Sequence, residues 1–212
     1  MHSVVNFFKK TPFYTIFIHV RKKYSSIVWA FAGYPISAPD VLKSSVVKEY
    51  GEKYNLKIFI ETGTYLGQMI EETKGNFDKI LSIELDKKLF ERAKNRFSSS
   101  SNVTILQGDS SLLLPKIIYD FKDPILFWLD AHYSAGFTTK GSTNTPIMAE
   151  LESILGHPYN NEHVILIDDA RCFNGDDDYP TISDIRRLID ERNPNLILSE
   201  KDDIIRIHKK LP

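Results

Sequence analysis

Cysteine is nearly absent from this chain of 212 residues. Cys172 stands alone, so no intrachain disulfide can form, which is compatible with a reducing cytoplasm. No apolar stretch reaches the ~18 residues that suggest a membrane span, and no small-residue cleavage site follows a clean apolar run. A formal net charge of −1 lacks the basic excess of a nucleic-acid binder. Neither G-x-G-x-x-G nor a G-K-[ST] ending occurs, so the common phosphate cradles are missing. Acidic residues are missing before Asp40, whereas Lys9, Lys10, Arg21, Lys22 and Lys23 are basic there, interleaved with Phe7, Phe8, Phe13, Tyr14, Phe17, Tyr24, Trp29 and Phe31.

That basic, aromatic segment, residues 1–38, reads as an N-terminal extension ended by Gly33, Pro35 and Pro39. Two readings fit it: peripheral contact with an anionic membrane surface, or a helix packed on the domain or on a second copy in a homo-oligomer. Residues 39–212 read as one domain. The hydrophobic content of 42% and charged content of 26% fit a soluble globular core. Residues 40–54 have helical spacing of Val41, Leu42, Val46, Val47 and Tyr50. Strands over 57–62, 79–84, 103–107, 124–130 and 163–168 then alternate with helices over 66–74, 87–97, 110–119, 146–155 and 181–191. Residues 195–199 and 203–208 read as a closing hairpin, an antiparallel edge on a parallel sheet. The polar stretch Tyr133–Thr145 is long for a plain connection and reads as a lid or binding segment.

Five strand-end motifs carry the chemistry: Glu61-Thr62-Gly63-Thr64-Tyr65-Leu66-Gly67, Ile83-Glu84-Leu85-Asp86, Gly108-Asp109-Ser110, Trp128-Leu129-Asp130-Ala131-His132 and Ile167-Asp168-Asp169-Ala170-Arg171. Ligands of open α/β sheets bind at the carboxyl ends of the strands. Repeated acids and glycines at that edge describe one site, suited to a cationic, ribose-bearing cofactor. Gly63 and Gly67 let the chain turn and a ligand approach, as an ordinary strand–helix turn also would. Glu84 suits a ribose diol, against a solvated surface glutamate. Asp109 suits an adenine neighbour or a helix cap, with Ser110 as the cap if both roles hold. Asp130, Asp168 and Asp169 end adjacent strands and would repel one another unless neutralised. An all-oxygen set suits Mg²⁺, against a hydrogen-bonded, metal-free rim. His132, two residues past Asp130, suits a general base. Arg171 would hold an anionic substrate group or neutralise the rim. Tyr65, Tyr133 and Trp128 would pack on adenine, on a sugar or in the core.

In that order the motifs resemble the S-adenosylmethionine-dependent methyltransferases of the Rossmann-like class. Within it they look most like metal-assisted O-methyltransferases of the catechol and macrocin type. The resemblance covers about residues 40–209. It implies a doubly wound, mostly parallel seven-stranded α/β sheet with its last strand inserted antiparallel. It also implies that Glu61 and Gly63, within the Thr62–Gly67 turn, lie near the cofactor's methionine moiety, Glu84 at the ribose and Asp109, with Ser110, near adenine. Asp130, Asp168 and Asp169 would take the metal, with His132 as base. Two departures stand out: Thr64-Tyr65-Leu66 occupies the place of a second glycine, and Ala131-His132 is not shared with catechol-type enzymes. The implied activity is methyl transfer from S-adenosylmethionine to a hydroxyl of a sugar, glycoconjugate or secondary metabolite. The rivals are a different metal-dependent enzyme, a hydrolase or nucleotide-sugar enzyme, and a non-catalytic membrane-associated module.

Overall fold

The computed structural model describes residues 27–29, 31, 32, 37–130 and 145–210. The expectations placed on residues 1–26, on His132 and on Tyr133–Asn144 lie outside the described residues.

Short, continuously apolar runs make the centre of the sheet. Strands β1 (Ile58–Thr62), β4 (Ile125–Leu129) and β5 (Val164–Ile167) are buried at every position, and β2 (Lys79–Glu84) at every position but its first. Runs with no polar face are satisfied only in a sheet covered on both sides. With β3 (Val103–Gln107), β6 (Leu196–Lys201) and β7 (Ile204–Lys209), they form a seven-stranded sheet in the order β3-β2-β1-β4-β5-β7-β6. The first five are parallel to one another, and β7 runs antiparallel to both β5 and β6.

The helices cover both faces. Val47 of α1 (Asp40–Lys53), Ile70 of α2 (Gln68–Thr73) and Ala93 of α3 (Lys87–Arg96) cluster with Phe59, Ile80, Leu126, Trp128 and Leu166. On the other face, Leu114 of α4 (Ser110–Ile117), Leu151 of α5 (Ile147–Leu155) and Ile185 of α6 (Ile182–Arg192) cluster with Ile60, Ile83, Phe127, Leu129 and Ile167. Trp128 is a core residue, 1% exposed.

The closing hairpin keeps the expected antiparallel last strand, inserted beside β5, and differs from expectation only in its turn. The turn is the two-residue Asp202-Asp203, with φ of 56° and 61°, the left-handed pair that suits a tight hairpin. β7, not β6, lies inside the sheet. The cause is in the side chains. Ile204, Ile205, Arg206 and Ile207 are all buried, whereas β6 buries Leu196 and Leu198 and exposes the alternate positions. A one-sided strand is tolerated at an edge; a two-sided one needs neighbours on both sides.

Register then fixes the edge. Thr62 pairs with Ile83 and with Leu129, and Leu129 pairs with Ile167. The ladder continues one residue further, where Asp130 N–H donates to Thr62 O and Asp168 N–H to Leu129 O, both at 3.0 Å. Gly63, Glu84, Asp130 and Asp168 therefore leave the sheet together.

Candidate active site

The turn after β1 is held by its neighbour strand. Gly63 (φ 89°) donates its N–H to Ile83 O at 2.9 Å. Tyr65, also left-handed at φ 47°, donates its N–H to Glu84 Oε2 at 2.7 Å, and Asp86 N–H donates to Oε1 at 2.9 Å. Glu84 is thus pinned by two backbone donors, and its remaining lone pairs can still accept from a diol. Burial pushes its pKa up, against those two bonds. Glu61 is deeper, 2% exposed, and accepts from Ser82 Oγ at 2.6 Å, with Thr64 Oγ1 2.6 Å from the same hydroxyl. Burial raises its pKa to about 8. Gly67 is the left-handed N-cap of α2, which begins later than the expected Leu66 for that reason. A Cβ there would come within 2.6 Å of the Phe97 ring, so packing demands this glycine.

Asp109 caps α4 itself, its Oδ1 accepting from Ser111 N–H at 2.9 Å and Ser111 Oγ at 2.6 Å. The cap is therefore Asp109 and not Ser110, whose side chain is buried. A carboxylate bonds the free amides of a first helical turn better than a hydroxyl one residue later, already inside the helix.

Asp130, Asp168 and Asp169 converge, each with a carboxylate oxygen within 4.8 Å of the others'. Asp169 sits at φ 55° and opens a single 3-10 turn, Ala170–Cys172. Its Oδ1 accepts from Ser37 Oγ at 2.8 Å and from Arg171 Nη1 at 2.9 Å, and Arg171 also pairs with Asp203. The main counter-charge comes from a residue outside the strand-end motifs. Lys43 of α1 bonds Asp168 Oδ2 and stands 3.7 Å from Asp169 Oδ1, its side chain 12% exposed. Burial disfavours the ammonium, but Asp168, Asp130 and Asp169 outweigh it and push its pKa up. Burial and the Asp130 and Asp169 charges raise Asp168. Asp169 is lowered: burial acts upward on it, and Lys43, Ser37 and Arg171 overcome that.

A cleft opens beside this set, lined by Asp130, Asp168, Thr145, Glu150, Phe173 and Tyr179 among others. Glu150, on α5, also lies outside the strand-end motifs. It is 1% exposed, and burial raises its pKa to about 7. The Ser110 and Thr62 hydroxyls turn toward the carboxyl and offset that in part, although neither reaches it with full hydrogen-bond geometry. Among the described residues, the buried side-chain atoms lacking a partner are Thr62 Oγ1, both Glu150 oxygens and Asp168 Oδ1. All lie at this one edge. Buried polar atoms are normally paired, so orphans gathered in one place mark where a ligand belongs. Lys43 and Glu150 did leave a signal: each is a charge on an apolar helical stripe, Lys43 ahead of Val47 and Tyr50, Glu150 between Ile147 and Ile154.

No family model matches the chain, and no curated protein does. Solved structures do. The S-adenosylhomocysteine-bound methyltransferase PaMTH1 of Podospora anserina is 16% identical, with a TM-score of 0.56 over 86% of each chain. A Staphylococcus aureus structure assigned as a caffeoyl-CoA O-methyltransferase is 16% identical, with a TM-score of 0.54 over 93% of this chain and 98% of that one. The O-methyltransferase TomG of Streptomyces achromogenes, in complex with S-adenosylmethionine, is 12% identical, with a TM-score of 0.53 over 87% and 86%. The strand order, the inserted antiparallel β7 and these likenesses agree: the chain has the Rossmann-like fold of the S-adenosylmethionine-dependent methyltransferases.

Proposed function

We propose that this chain is an S-adenosylmethionine-dependent methyltransferase, acting with a divalent metal on a hydroxyl of a sugar, glycoconjugate or secondary metabolite. The observation that carries the reading is the gathering of unpartnered buried polar atoms, with Glu84 and the three aspartates, along one strand-end edge. In this reading Glu84 takes the ribose hydroxyls, the Glu61–Gly67 turn the methionine portion, and Asp109 with Ser110 the adenine. Asp130 lies between cofactor and acceptor.

The donor methyl is already activated on sulfur. The acceptor oxygen forms a bond to that carbon, the carbon–sulfur pair returns to sulfur, and the hydroxyl proton leaves to a base, the role we give His132. Alignment by a rigid edge supplies much of the barrier reduction, up to ~7–11 kcal/mol in favourable cases. Asp130, Asp168 and Asp169 fit Mg²⁺ in donor type, and the orphaned Asp168 Oδ1 supports the fit. When bound, the ion would lower the pKa of the acceptor hydroxyl. Phe173 and Tyr179 line the cleft beside these carboxylates, where they would shield a bound acceptor oxygen from water.

Calorimetric titration with S-adenosylhomocysteine tests the cofactor. Binding by the wild type and a loss of at least tenfold in Glu84→Ala are expected. Absence of binding by the wild type would remove the methyltransferase reading and favour another metal-dependent enzyme on the same sheet. We also read residues 1–38 as a peripheral contact with anionic membrane: the segment is basic and aromatic, and Ile27, Val28 and Phe31 are exposed. Sedimentation with phosphatidylserine vesicles should retain the full chain and lose a chain beginning at residue 39; equal behaviour of the two would end that idea. No helix among the described residues is long and apolar enough to cross a membrane.

A further inference from the structure

We propose that Lys43 is a built-in counter-cation which a divalent ion must displace from the Asp130–Asp168–Asp169 set, so that α1 competes directly with metal. The inference rests on the metal reading above and adds a control that the strand-end motifs do not contain.

Three carboxylates so close together repel unless a positive charge joins them. Two cations answer that need in different ways. Arg171 lies on the outer side, 41% exposed, and bridges Asp169 to Asp203. Its Nη1 meets both carboxylates, and its backbone N–H also donates to Asp203 Oδ1 at 3.0 Å, so side chain and main chain together make it a fixture. Lys43 comes from the inner side. Its side chain is 12% exposed and its Nζ reaches Asp168 Oδ2, with Asp169 Oδ1 at 3.7 Å. An ammonium on a four-carbon stem is a point charge that can leave without dismantling its helix.

Lys43 also does the job incompletely. Asp168 is 1% exposed in its side chain, yet its Oδ1 has no partner. A group that engages several oxygens would satisfy what one ammonium leaves unmet. Ammonium and divalent ion cannot share the place, since two positive charges side by side in a poorly solvated pocket repel strongly. Loading is therefore an exchange, with the stem of Lys43 withdrawing along α1.

The test uses the full chain, Mn²⁺ as probe and no acceptor. Free Mn²⁺ is followed by electron paramagnetic resonance for the wild type, Lys43→Met, Lys43→Arg and Asp168→Asn. Lys43→Met should bind at least tenfold more tightly than the wild type, Lys43→Arg within about threefold of it, and Asp168→Asn much more weakly. Affinity of Lys43→Met equal to or below that of the wild type would overturn the exchange and leave the metal reading standing. Failure of both proteins to bind Mn²⁺ at millimolar levels would overturn the metal reading and the exchange with it. A second measurement does not depend on how the variants fold. Lysines of the wild type are reductively methylated with ¹³C, and the Lys43 dimethylammonium signal should move when Mg²⁺ is added. A signal that stays put while Mg²⁺ saturates the protein would equally overturn the proposal.

Discussion

At the scale of single residues, the informative positions are charges where charge is costly. Lys43 and Glu150 sit on stripes that otherwise face the core, and Glu61 lies under the first turn. Natural proteins keep such residues where a site needs them. Gly67 is the opposite case, a residue kept for what it lacks. Gly67→Ala places a methyl 2.6 Å from the Phe97 ring at φ +72°. We expect a loss of ~1–3 kcal/mol, read from the urea midpoint. Asp109 joins both kinds of role, so Asp109→Asn and Asp109→Ala separate them. Asparagine keeps the cap, whereas alanine loses ~1 kcal/mol. If adenine binding also needs the carboxylate, both variants weaken S-adenosylhomocysteine; if only alanine does so, the residue acts through the helix.

At the scale of elements, the ends carry more than the middles. α6 opens with a capping box: Thr181 Oγ1 accepts from Asp184 N–H at 3.1 Å, and Asp184 Oδ2 accepts from Thr181 N–H at 2.9 Å. Thr181→Ala should cost ~1 kcal/mol of stability, read by thermal denaturation, and leave cofactor binding unchanged. α1 was legible as a helix from Val46, Val47 and Tyr50, but Val41 and Leu42 are only partly buried. The turn before the core stripe is given over to Lys43, and hydrophobic spacing cannot reveal a partner on a distant strand. The polar segment after β4, with His132, lies outside the described residues, so its assignment rests on position in the chain alone.

At the scale of the molecule, buried ionisable groups at opposite ends of the sheet set the pH profile. At the carboxyl edge, Glu61 and Glu150 have pKa values raised from 4.5 to about 8 and about 7. Between 4.5 and those values the unfolded chain has lost its proton and the folded one keeps it. Their contribution is whole below pH 4.5 and falls as pH rises, by up to ~1.4 kcal/mol per pH unit and group. At the other end, His163 accepts from Ile125 N–H at 3.0 Å and stacks on His157, and burial lowers its pKa from 6.5 to about 3. Its contribution is whole above pH 6.5 and falls as pH drops towards 3. Between pH 4.5 and 6.5 the His163 gain offsets only one of the two glutamates, so chemical denaturation should show a net decline from about 4.5 to 8 that Glu61→Gln flattens. An acid decline below 4.5 should persist in that variant. A profile unchanged by Glu61→Gln would mean that the carboxyl is already ionised in the fold.

The alternation of apolar runs with amphipathic stretches determined by itself that this chain is an α/β protein with its acids at the carboxyl ends of its strands, because strand and helix periods are local, whereas the doubly wound order came from the resemblance of the motifs. Only the tertiary structure decided which cation meets those acids and that Glu150 joins them. Each of those is a meeting of residues far apart in the chain, selected by what must be buried and what must be neutralised once the layers close.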